Sequence, residues 1–384
     1  MNVPKLRFKE FNDEWSMIEL SKISSEISYG MGLPSKEYDG INKYIRITDI
    51  DENTSKYSNK DIVSPDGELE DKYIVKKNDI LFARTGASTG KTYLYDKKDG
   101  KLYYAGFLIK ANIINHDANF IFQQTHTSKY NRWIKVMSMR SGQPGINSQE
   151  YGSYKFSITS KTEEYKISKM LQLLDKKIEL QSKKIEDLKL FKLYTKNQIF
   201  KDYDEIFKLK DILVKWNKKN KNNSVKYVES ISNKYGFISQ SDQFEDRNVA
   251  SKDLNNYYII EKGVFGYNPS RLNVGSLALK TDDKASVVSP LYECFTTSQN
   301  NQYLLEWFDS KYFRKETISK FEGGVRNTLN FSNLCEIEIG LPTIEKQNKY
   351  SKIFKTFNNK IEFEVKKLYK LHELKKGLMQ SMFV

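Results

Sequence analysis

The chain has 384 residues, of which 39% are apolar and 13% aromatic, a composition that excludes an intrinsically disordered protein and allows two or three domains. No apolar run approaches the roughly 20 residues that a membrane-spanning helix needs, so we expect no membrane association. Only two cysteines occur, and residues 1–10 are polar and basic rather than a secretory signal. We therefore expect a reducing, cytoplasmic location.

The charge balance favours a polyanionic partner. The formal net charge is +14, from 63 basic and 49 acidic residues. An excess of this size is typical of proteins that bind nucleic acid. Lysine-rich composition is also typical of proteins from AT-rich genomes, so the charge indicates nucleic acid without establishing it.

The first 159 residues predict a mixed α+β module dominated by sheet. A short opening segment with Trp15 precedes a series of β-like runs separated by Gly, Asn, Asp and Lys turns. These runs are Tyr44–Ile50, Tyr73–Val75, Ile80–Ala83, Thr92–Tyr95, Tyr103–Ile109 and Ala111–Ile114. A helix around 131–139, a glycine-containing loop and a final strand, Tyr154–Ile158, complete the module.

A long helix is predicted over residues 160–200, which contain neither Gly nor Pro. Its apolar residues follow a heptad seam, interrupted once by Gln181. Ser160 and Glu163 have the spacing of a capping box at its start. The seam residues are Ile167, Leu171, Leu174, Ile178, Ile185 and Leu188. A helix with this pattern requires a partner helix.

The partner is predicted in the same chain, at a constant offset of 183 positions. Residues 343–384 repeat the seam without insertion or deletion, and Glu364 takes the place of Gln181. The second set of seam residues is Tyr350, Phe354, Phe357, Ile361, Leu368 and Leu371. Two matched copies favour a tandem repeat over two unrelated packed helices.

The globular parts also repeat, with gaps and few identities. Leu209 and Ile212 correspond to Leu20 and Ile23 at an offset of 189, Gly275 corresponds to Gly90, and Asn330 corresponds to Asn147. We therefore expect four domains in order: a first module (1–159), a first helix (160–200), a second module (201–342) and a second helix (343–384). The fold class is α+β, with two similar modules each followed by a long helix.

No set of residues has the spacing of a catalytic or metal site. The segment Gly86–Lys91 resembles a P-loop, but three residues separate its glycines where the Walker motif has four, and a strand pattern follows it. The acidic turn near Asp66 lacks the two strands that a metal nuclease site needs. The three histidines are scattered. We expect no metal, no cofactor and no catalysis by this chain alone.

Polar residues in the loops that both modules possess are the candidates for DNA contacts. Arginine forks onto guanine, and asparagine or glutamine onto adenine, each pair giving about 1–3 kcal/mol of discrimination. For any single residue a phosphate contact or a structural role in the loop is the alternative. In the first module the candidates are Arg84, Ser88, Thr89, Lys91, Arg140, Gln143, Asn147 and Gln149. In the second they are Asn268, Arg271, Asn273, Arg326 and Asn327.

The tandem organisation, with DILFARTGASTGKTYLY at 79–95 and VPKLRFKEFNDEWSMIELSKI at 3–23, resembles the specificity subunit of type I restriction–modification systems. The resemblance covers essentially the whole chain. It implies two target-recognition domains, each reading one half of a split DNA site, and an antiparallel coiled coil that separates them. The second module has SRLNVGS where the first has GASTGK, so identical contacts in the two modules are not expected.

The resemblance also implies partners and their cofactors. The helices would dock two methyltransferase subunits that carry S-adenosylmethionine and modify adenine. A restriction subunit that uses ATP and Mg would join them for cleavage. A helix of about 38 residues is roughly 57 Å long, comparable with one to two turns of duplex.

Two other classes of function stay open from the sequence. One is an enzyme that modifies nucleic acid alone, which only the weak motif similarities support. The other is a coiled-coil assembly protein without DNA contacts, for which the net charge would be incidental.

Overall fold

The computed structural model describes residues 3–139, 143–232, 235–240, 253–318 and 328–384, with the side chains of 273 and 274 left out. The chain divides into two compact units. Unit 1 comprises Met1–Ser182 and Lys366–Val384, and unit 2 comprises Lys183–Val365. Each unit therefore contains one globular module and one half of each long helix.

A four-stranded antiparallel sheet forms the centre of unit 1, in the order β2 (Ser24–Tyr29), β9 (Leu108–Ile113), β6 (Asp79–Ala83) and β7 (Thr92–Leu94). Every residue of β6 is buried, which explains its continuous apolar sequence. Helices pack on this sheet and bury its apolar face.

The other elements of unit 1 are paired strands and short helices. The antiparallel pairs are β1 (Ser16–Glu19) with β10 (Lys155–Ile158), and β3 (Ser35–Glu37) with β5 (Val63–Pro65). Strand β4 (Lys43–Ile45) is parallel to β8 (Leu102–Tyr104). The helices are α1 (Leu20–Ile23), α2 (Ala118–Gln124), α3 (Ser128–Met137) and α4 (Ser148–Ser153). Single 3-10 turns lie at Ile47–Asp49, Asp71–Tyr73, Gly86–Ser88 and Lys97–Asp99.

Unit 2 has an equivalent central sheet, and we call this shared sheet and the elements packed on it the frame. Its four-stranded antiparallel sheet has the order β12-β19-β16-β17, formed by β12 (Leu213–Lys215), β16 (Phe265–Tyr267), β17 (Leu277–Leu279) and β19 (Glu293–Thr297). Strand β11 (Glu205–Lys208) pairs antiparallel with β20 (Glu338–Leu341). The short helices are α6 (Asn301–Phe308), α7 (Lys311–Ile318) and α8 (Phe331–Cys335).

The outer strands of unit 2 differ from those of unit 1. Strand β13 (Glu229–Ser232) pairs with β14 (Gly236–Ser239), and β15 (Tyr258–Ile260) pairs with β18 (Ser286–Val288), both antiparallel. The pair β4 and β8 in unit 1 is parallel instead. Single 3-10 segments lie at Leu209–Asp211, Lys221–Asn223 and Pro269–Val274. The central four-stranded sheet is thus present in both units, whereas the outer strand pairs differ.

Strand register and hydrogen bonds follow the offsets found in the sequence. Ser16 pairs with Ile158 in unit 1, and Glu205 pairs with Leu341 in unit 2, 189 and 183 positions further on. The amide of Leu20 donates to the carbonyl of Tyr154 at 2.9 Å. In unit 2 the equivalent amide, that of Leu209, donates to the carbonyl of Ile337 at 2.9 Å. The offset is larger at the opening strand than at the closing strand, so the first module contains more residues than the second between these two strands.

The first helix after each central sheet begins with an equivalent cap. In unit 1 the carboxylate of Asp117 accepts the amide of Phe120 at 2.8 Å, and in unit 2 the side chain of Asn300 accepts the amide of Tyr303 at 2.9 Å. Such caps satisfy amides that the first turn leaves without partners. The amide of Asp117 in turn donates to Glu164 on the long helix at 3.1 Å. This contact ties the module to its helix.

The two long helices, α5 (Lys161–Ile199) and α9 (Ile344–Met382), have 39 residues each and pack against each other as an antiparallel pair. In unit 1, Lys375 near the end of α9 pairs with Asp175 in the first half of α5 at 2.6 Å. In unit 2, the rings of Phe191 and Phe357 meet at 5.5 Å between centroids. The fold class expected from the sequence is confirmed.

The predicted seam residues on both helices are buried or half-buried, without exception. Leu171 and Phe354, which occupy equivalent positions, are both fully buried. The polar interruption is buried too, at Gln181 and at Glu364. None of the described helices combines the length and hydropathy that crossing a bilayer requires.

The predicted capping box at the start of α5 is not what the Glu163 side chain forms. Its carboxylate is fully buried and binds the guanidinium of Arg7 at 2.7 Å and the hydroxyl of Thr159 at 2.7 Å. A charged partner from the opening segment outcompetes a backbone amide for this carboxylate, because charge-assisted pairs are stronger. The spacing alone gave no sign of Arg7.

Candidate nucleic-acid interface

The segment after β6 is a tight turn rather than a phosphate-binding loop. A single 3-10 turn at Gly86–Ser88 leads directly into β7. Gly90 has a φ of +92°, and a Cβ atom there would lie 2.7 Å from the side chain of Ile134 on α3. Both features require glycine. The hydroxyl of Thr89 donates to the carbonyl of Gly86 at 2.8 Å, which closes the turn.

The two loops predicted for module 1 lie against each other. The amide of Gly86 donates to the carbonyl of Pro144 at 2.9 Å, and the amide of Ile146 donates to the carbonyl of Arg84 at 2.9 Å. Thr85 and Gly145 form an antiparallel bridge between them. The structure thus joins the loop that carries Arg84, Ser88, Thr89 and Lys91 to the loop that carries Gln143 and Asn147, and Gln149 follows on the helix after that loop. Arg140 lies outside the described residues.

These candidates differ in how free their side chains are. Gln143 and Gln149 are exposed. Asn147 is exposed as well, but its Oδ1 accepts the amide of Glu150 at 2.9 Å, and Glu150 accepts the amide of Asn147 at 2.8 Å. This capping box starts α4. The side chain of Asn147 therefore has a structural role that the loop pattern did not reveal.

Arg84 is held by an aromatic ring and a carbonyl. Its guanidinium lies 4.8 Å from the centre of the Tyr29 ring, and Nη1 donates to the carbonyl of Gly106 at 3.4 Å. The hydroxyl of Tyr29 accepts the amide of Ser148 at 3.0 Å. Phe107, next to Gly106, is 59% exposed. An oriented guanidinium is suited to hydrogen-bond the edge of a base, and an exposed aromatic ring beside it is suited to stack on the face of a base.

Sequence reasoning missed Tyr29 and Phe107. Tyr29 is the last residue of β2, and Phe107 lies in the turn directly before β9; each is next to a glycine, at Gly30 and Gly106. An aromatic residue adjacent to a glycine turn was the signal available. A loop pattern of polar residues carries no information about such rings, although aromatic faces stack on bases.

Lys91 and Ser88 are less available than the other candidates. The ammonium group of Lys91 pairs with Glu52 at 2.6 Å, and the side chain is 21% exposed. Ser88 is half-buried, and its carbonyl accepts the amide of Lys91 at 3.0 Å. Glu52 reduces the positive charge that Lys91 presents, since a neighbouring carboxylate offsets it.

Module 2 places its corresponding loop at the same point of the frame. The side chain of Asn268 accepts the amide of Ser270 at 3.0 Å and caps the 3-10 segment Pro269–Val274. Gly275 ends this segment with a φ of +89°, close to the value at Gly90. Arg271 is exposed. The side chain of Asn273 is not described, and Arg326 and Asn327 lie outside the described residues.

The two loops of module 2 are also joined. The amide of Leu329 donates to the carbonyl of Pro269 at 3.1 Å. Leu329 directly precedes Asn330, whose side chain accepts the amide of Asn333 at 2.8 Å and starts α8. Asn147 and Asn330 therefore cap equivalent helices. Both modules present a β-turn segment beside a helix-capping loop.

Comparison with known proteins finds sequence similarity in the first half of the chain. The family model for the type I restriction modification DNA specificity domain matches residues 12–190. A curated protein of Methanocaldococcus jannaschii, named as the type I restriction enzyme MjaX specificity subunit, is 25% identical over 199 residues. That match covers 47% of this chain and 45% of the relative, so the chain spans less than half of the relative's length.

Solved structures extend the similarity to the whole chain. The crystal structure of the type I restriction-modification S subunit from M. genitalium has a TM-score of 0.62 at 15% identity, over 100% of this chain and 99% of that one. A chain from a structure on complex assembly and conformational transition of the type I R-M system has a TM-score of 0.55 at 13% identity, over 96% and 97%. At identities this low, the structural similarity establishes a shared fold alone. Residues 12–190 thus match the model of the DNA specificity domain of type I restriction–modification systems, and the chain as a whole has the fold of type I S subunits, as the sequence resemblance implied.

Proposed function

We propose that this chain is the non-catalytic, DNA-reading specificity subunit of a type I restriction–modification complex. Each of the two modules reads one half of a bipartite, asymmetric DNA site. The observation that carries the proposal is the duplicated frame. Two modules with the same sheet order present a turn and a capping loop at the same place, but with different side chains.

The chemistry of the loops suits base recognition. In module 1, Arg84 is oriented by Tyr29 while Gln143 is exposed beside it. In module 2, Arg271 is exposed on the corresponding turn. Arginine and amide side chains are the residues that distinguish guanine and adenine in the major groove. Different residues at equivalent positions would read different bases, which an asymmetric site requires.

The two long helices are proposed to bind two methyltransferase subunits. Both helices carry apolar side chains that remain more than half exposed, and such residues in number mark a protein-binding surface. They are Leu173, Leu180, Leu190, Phe363, Tyr369 and Leu374. In this proposal the methyltransferases carry S-adenosylmethionine and methylate adenine. A restriction subunit carries the ATP and Mg of the cleavage reaction.

Sequencing of methylated DNA tests the proposal directly. A host without other methyltransferases would express this chain together with its neighbouring methyltransferase. We expect methylated adenine in both halves of a bipartite motif, and no such methylation when this chain is deleted. Methylation that persists unchanged without this chain would contradict the proposal and favour an assembly role.

A module exchange sharpens the test. Replacing residues 1–159 by the first module of another specificity subunit is expected to change one half of the motif and to leave the other half unchanged. If both halves change, the modules do not read the site independently. An intact module 2 in the same protein is the internal control.

A further inference from the structure

Unit 1 contains a cavity of about 510 Å³ that the proposed DNA-reading surface does not include. It lies between the start of α3, the start of β10 and the last turns of α9. We propose that this cavity is a binding site for an organic phosphate of nucleotide size. The inference does not rest on the proposed function, because it concerns side chains away from the candidate DNA contacts.

The lining of the cavity is strongly basic. Five lysine and arginine side chains contribute to it: Lys129, Arg132, Lys155, Lys375 and Lys376. Two histidines, His126 and His372, also line it, and no Asp or Glu is among the described lining residues. Cationic side chains that converge on a concave space favour an anionic ligand, since their mutual repulsion is relieved when it binds.

Three of these cations have no carboxylate partner among the described residues. Lys375 pairs with Asp175 at 2.6 Å, and the ammonium group of Lys129 donates to the carbonyl of Val384 at 3.2 Å. Within the described part of the chain, no carboxylate lies within 4.0 Å of Arg132, Lys155 or Lys376. Burial lowers the pKa of Lys129, so its ammonium form also gains from a nearby anion.

The remaining wall suits the organic part of the ligand. Tyr154, Met379 and Phe383 supply apolar surface, and Asn131 and Gln380 supply amide groups. The volume falls in the range of small-molecule sites, roughly 300–1,000 Å³. Phosphates at the cations and a ring against Tyr154 and Phe383 would use both parts of the lining. Inorganic phosphate would use only one.

The equivalent positions in unit 2 do not conserve this chemistry. At the offset of 183, Lys155 corresponds to Glu338, and Lys129 corresponds to Tyr312. The hydroxyl of Tyr312 donates to the carbonyl of Asn197 at 3.3 Å, and its ring lies 6.3 Å from that of Phe200. Lys376 corresponds to Leu193. The basic lining is thus a property of unit 1 and not of the duplicated frame.

The test uses the full chain and isothermal titration with ATP, ADP and inorganic triphosphate. We expect saturable nucleotide binding that is at least about tenfold weaker in the double variant Lys155→Gln/Lys376→Gln, which removes two charge-assisted contacts. The matched control is Lys135→Gln/Lys169→Gln, which removes the same charge from exposed lysines of unit 1 that do not line the cavity. This control should bind as the parent does, and thermal unfolding checks that both variants fold.

Three results would overturn the inference: no nucleotide binding, equal weakening in both double variants, or binding of inorganic triphosphate as tight as ATP. A parallel titration with duplex DNA separates the two sources of phosphate. If the Lys155/Lys376 variant loses DNA affinity while nucleotides do not bind the parent, the cavity is a DNA backbone contact. The methylation assay is independent of all these outcomes, so failure here leaves the proposed reading function standing.

Discussion

In each unit, three equivalent residues attach the module to the long helices. The acidic residue of the three lies on a long helix in unit 1 and on the module in unit 2. In unit 1, Asp175 on α5 binds Lys375 on α9 at 2.6 Å and accepts the side-chain amide of Gln123 on α2 at 3.2 Å. At the offset of 183, unit 2 has Asn358, Lys192 and Glu306. The acid has moved from the helix to the module.

The contacts in unit 2 are correspondingly rearranged. Lys192 donates to Glu306 at 2.8 Å and to Asn358 at 2.8 Å, and Asn358 donates to Glu306 at 3.1 Å. Lys196 adds a second cation 3.2 Å from Glu306. Both units therefore use an acid, an amide and a lysine at these three positions. They differ in which position carries the acid and which carries the amide.

The largest expected effect comes from the apolar position shared by both units. Phe354 is fully buried and packs against Phe200, whereas unit 1 has Leu171 at the equivalent place. Phe354→Ala should lower the free energy of unfolding by about 3–5 kcal/mol, because it leaves a cavity. Phe354→Leu, which inserts the residue of unit 1, should cost about 1–2 kcal/mol.

Urea unfolding, with hydrogen exchange to localise the loss, measures this difference. Leu190→Ala is the control, since Leu190 is 65% exposed and its truncation should change stability by no more than about 0.5 kcal/mol. Equal costs for Phe354→Leu and Phe354→Ala would mean that ring packing, not volume, decides this position.

The charge arrangement gives the next prediction. Glu306→Gln removes the only described carboxylate from Lys192 and should destabilise unit 2 by about 3 kcal/mol, because a buried charge loses its partner. Asn358→Asp alone places a second acid beside Glu306. The double variant rebuilds the arrangement of unit 1, and we expect it to recover to within about 1 kcal/mol of the parent. A double-mutant cycle measures this coupling, and additive effects would contradict it.

The same carboxylate predicts a pH dependence. Burial acts to raise the pKa of Glu306, but Lys192 and Lys196 outweigh it and hold the pKa below its usual value. A lowered pKa contributes stability that is present above the unfolded-state pKa and is lost as the pH falls through the folded-state pKa. We expect Glu306→Gln to flatten the acid limb of unfolding. An unchanged limb would show that other carboxylates determine it.

A recognition effect should be confined to one module. If Arg84 contacts a base, Arg84→Ala should cost about 1–3 kcal/mol of discrimination at one half-site, equivalent to a roughly 5–150-fold loss of selective methylation there. Tyr29→Leu should reproduce part of this loss, because Tyr29 orients the guanidinium. Lys97→Ala, at an exposed lysine in a turn of the same unit, is the control. Loss at both half-sites would indicate a phosphate contact or misfolding.

The sequence predicted the long helices and the repeat because heptad spacing and a constant offset are local, additive signals. The gapped correspondence of the two modules predicted that Gly90 matches Gly275, and both have positive φ. The module strands were less predictable. The run Tyr44–Ile50 contains β4 only as far as Ile45 and then a 3-10 turn, since Asp49 binds Arg46 and bends the chain. Pairing of Arg7 with Glu163, 156 positions apart, has no local signature.

The candidate site was predictable as a surface but not residue by residue. Loop composition located the turn after β6 and the loop before α4, and the structure joins them. It could not separate Arg84, which is presented by Tyr29, from Lys91, which is paired with Glu52. Those differences arise from tertiary neighbours. For the same reason the loop pattern ranked Asn147 with the exposed glutamines although it caps a helix.

The smallest effect separates these two roles of Asn147. Asn147→Ala should cost about 1 kcal/mol through loss of the cap, whereas Asn147→Ser keeps an acceptor for the Glu150 amide and should cost a few tenths of that. Serine cannot form the bidentate contact of asparagine with adenine. If Asn147 only caps α4, the Asn147→Ser variant methylates the parental motif with unchanged selectivity. Relaxed selectivity at one adenine, with stability retained, would instead assign Asn147 to the base. Asn330→Ser in module 2 carries the same cap and serves as the matched control, because equal behaviour at both positions points to the duplicated frame rather than to DNA.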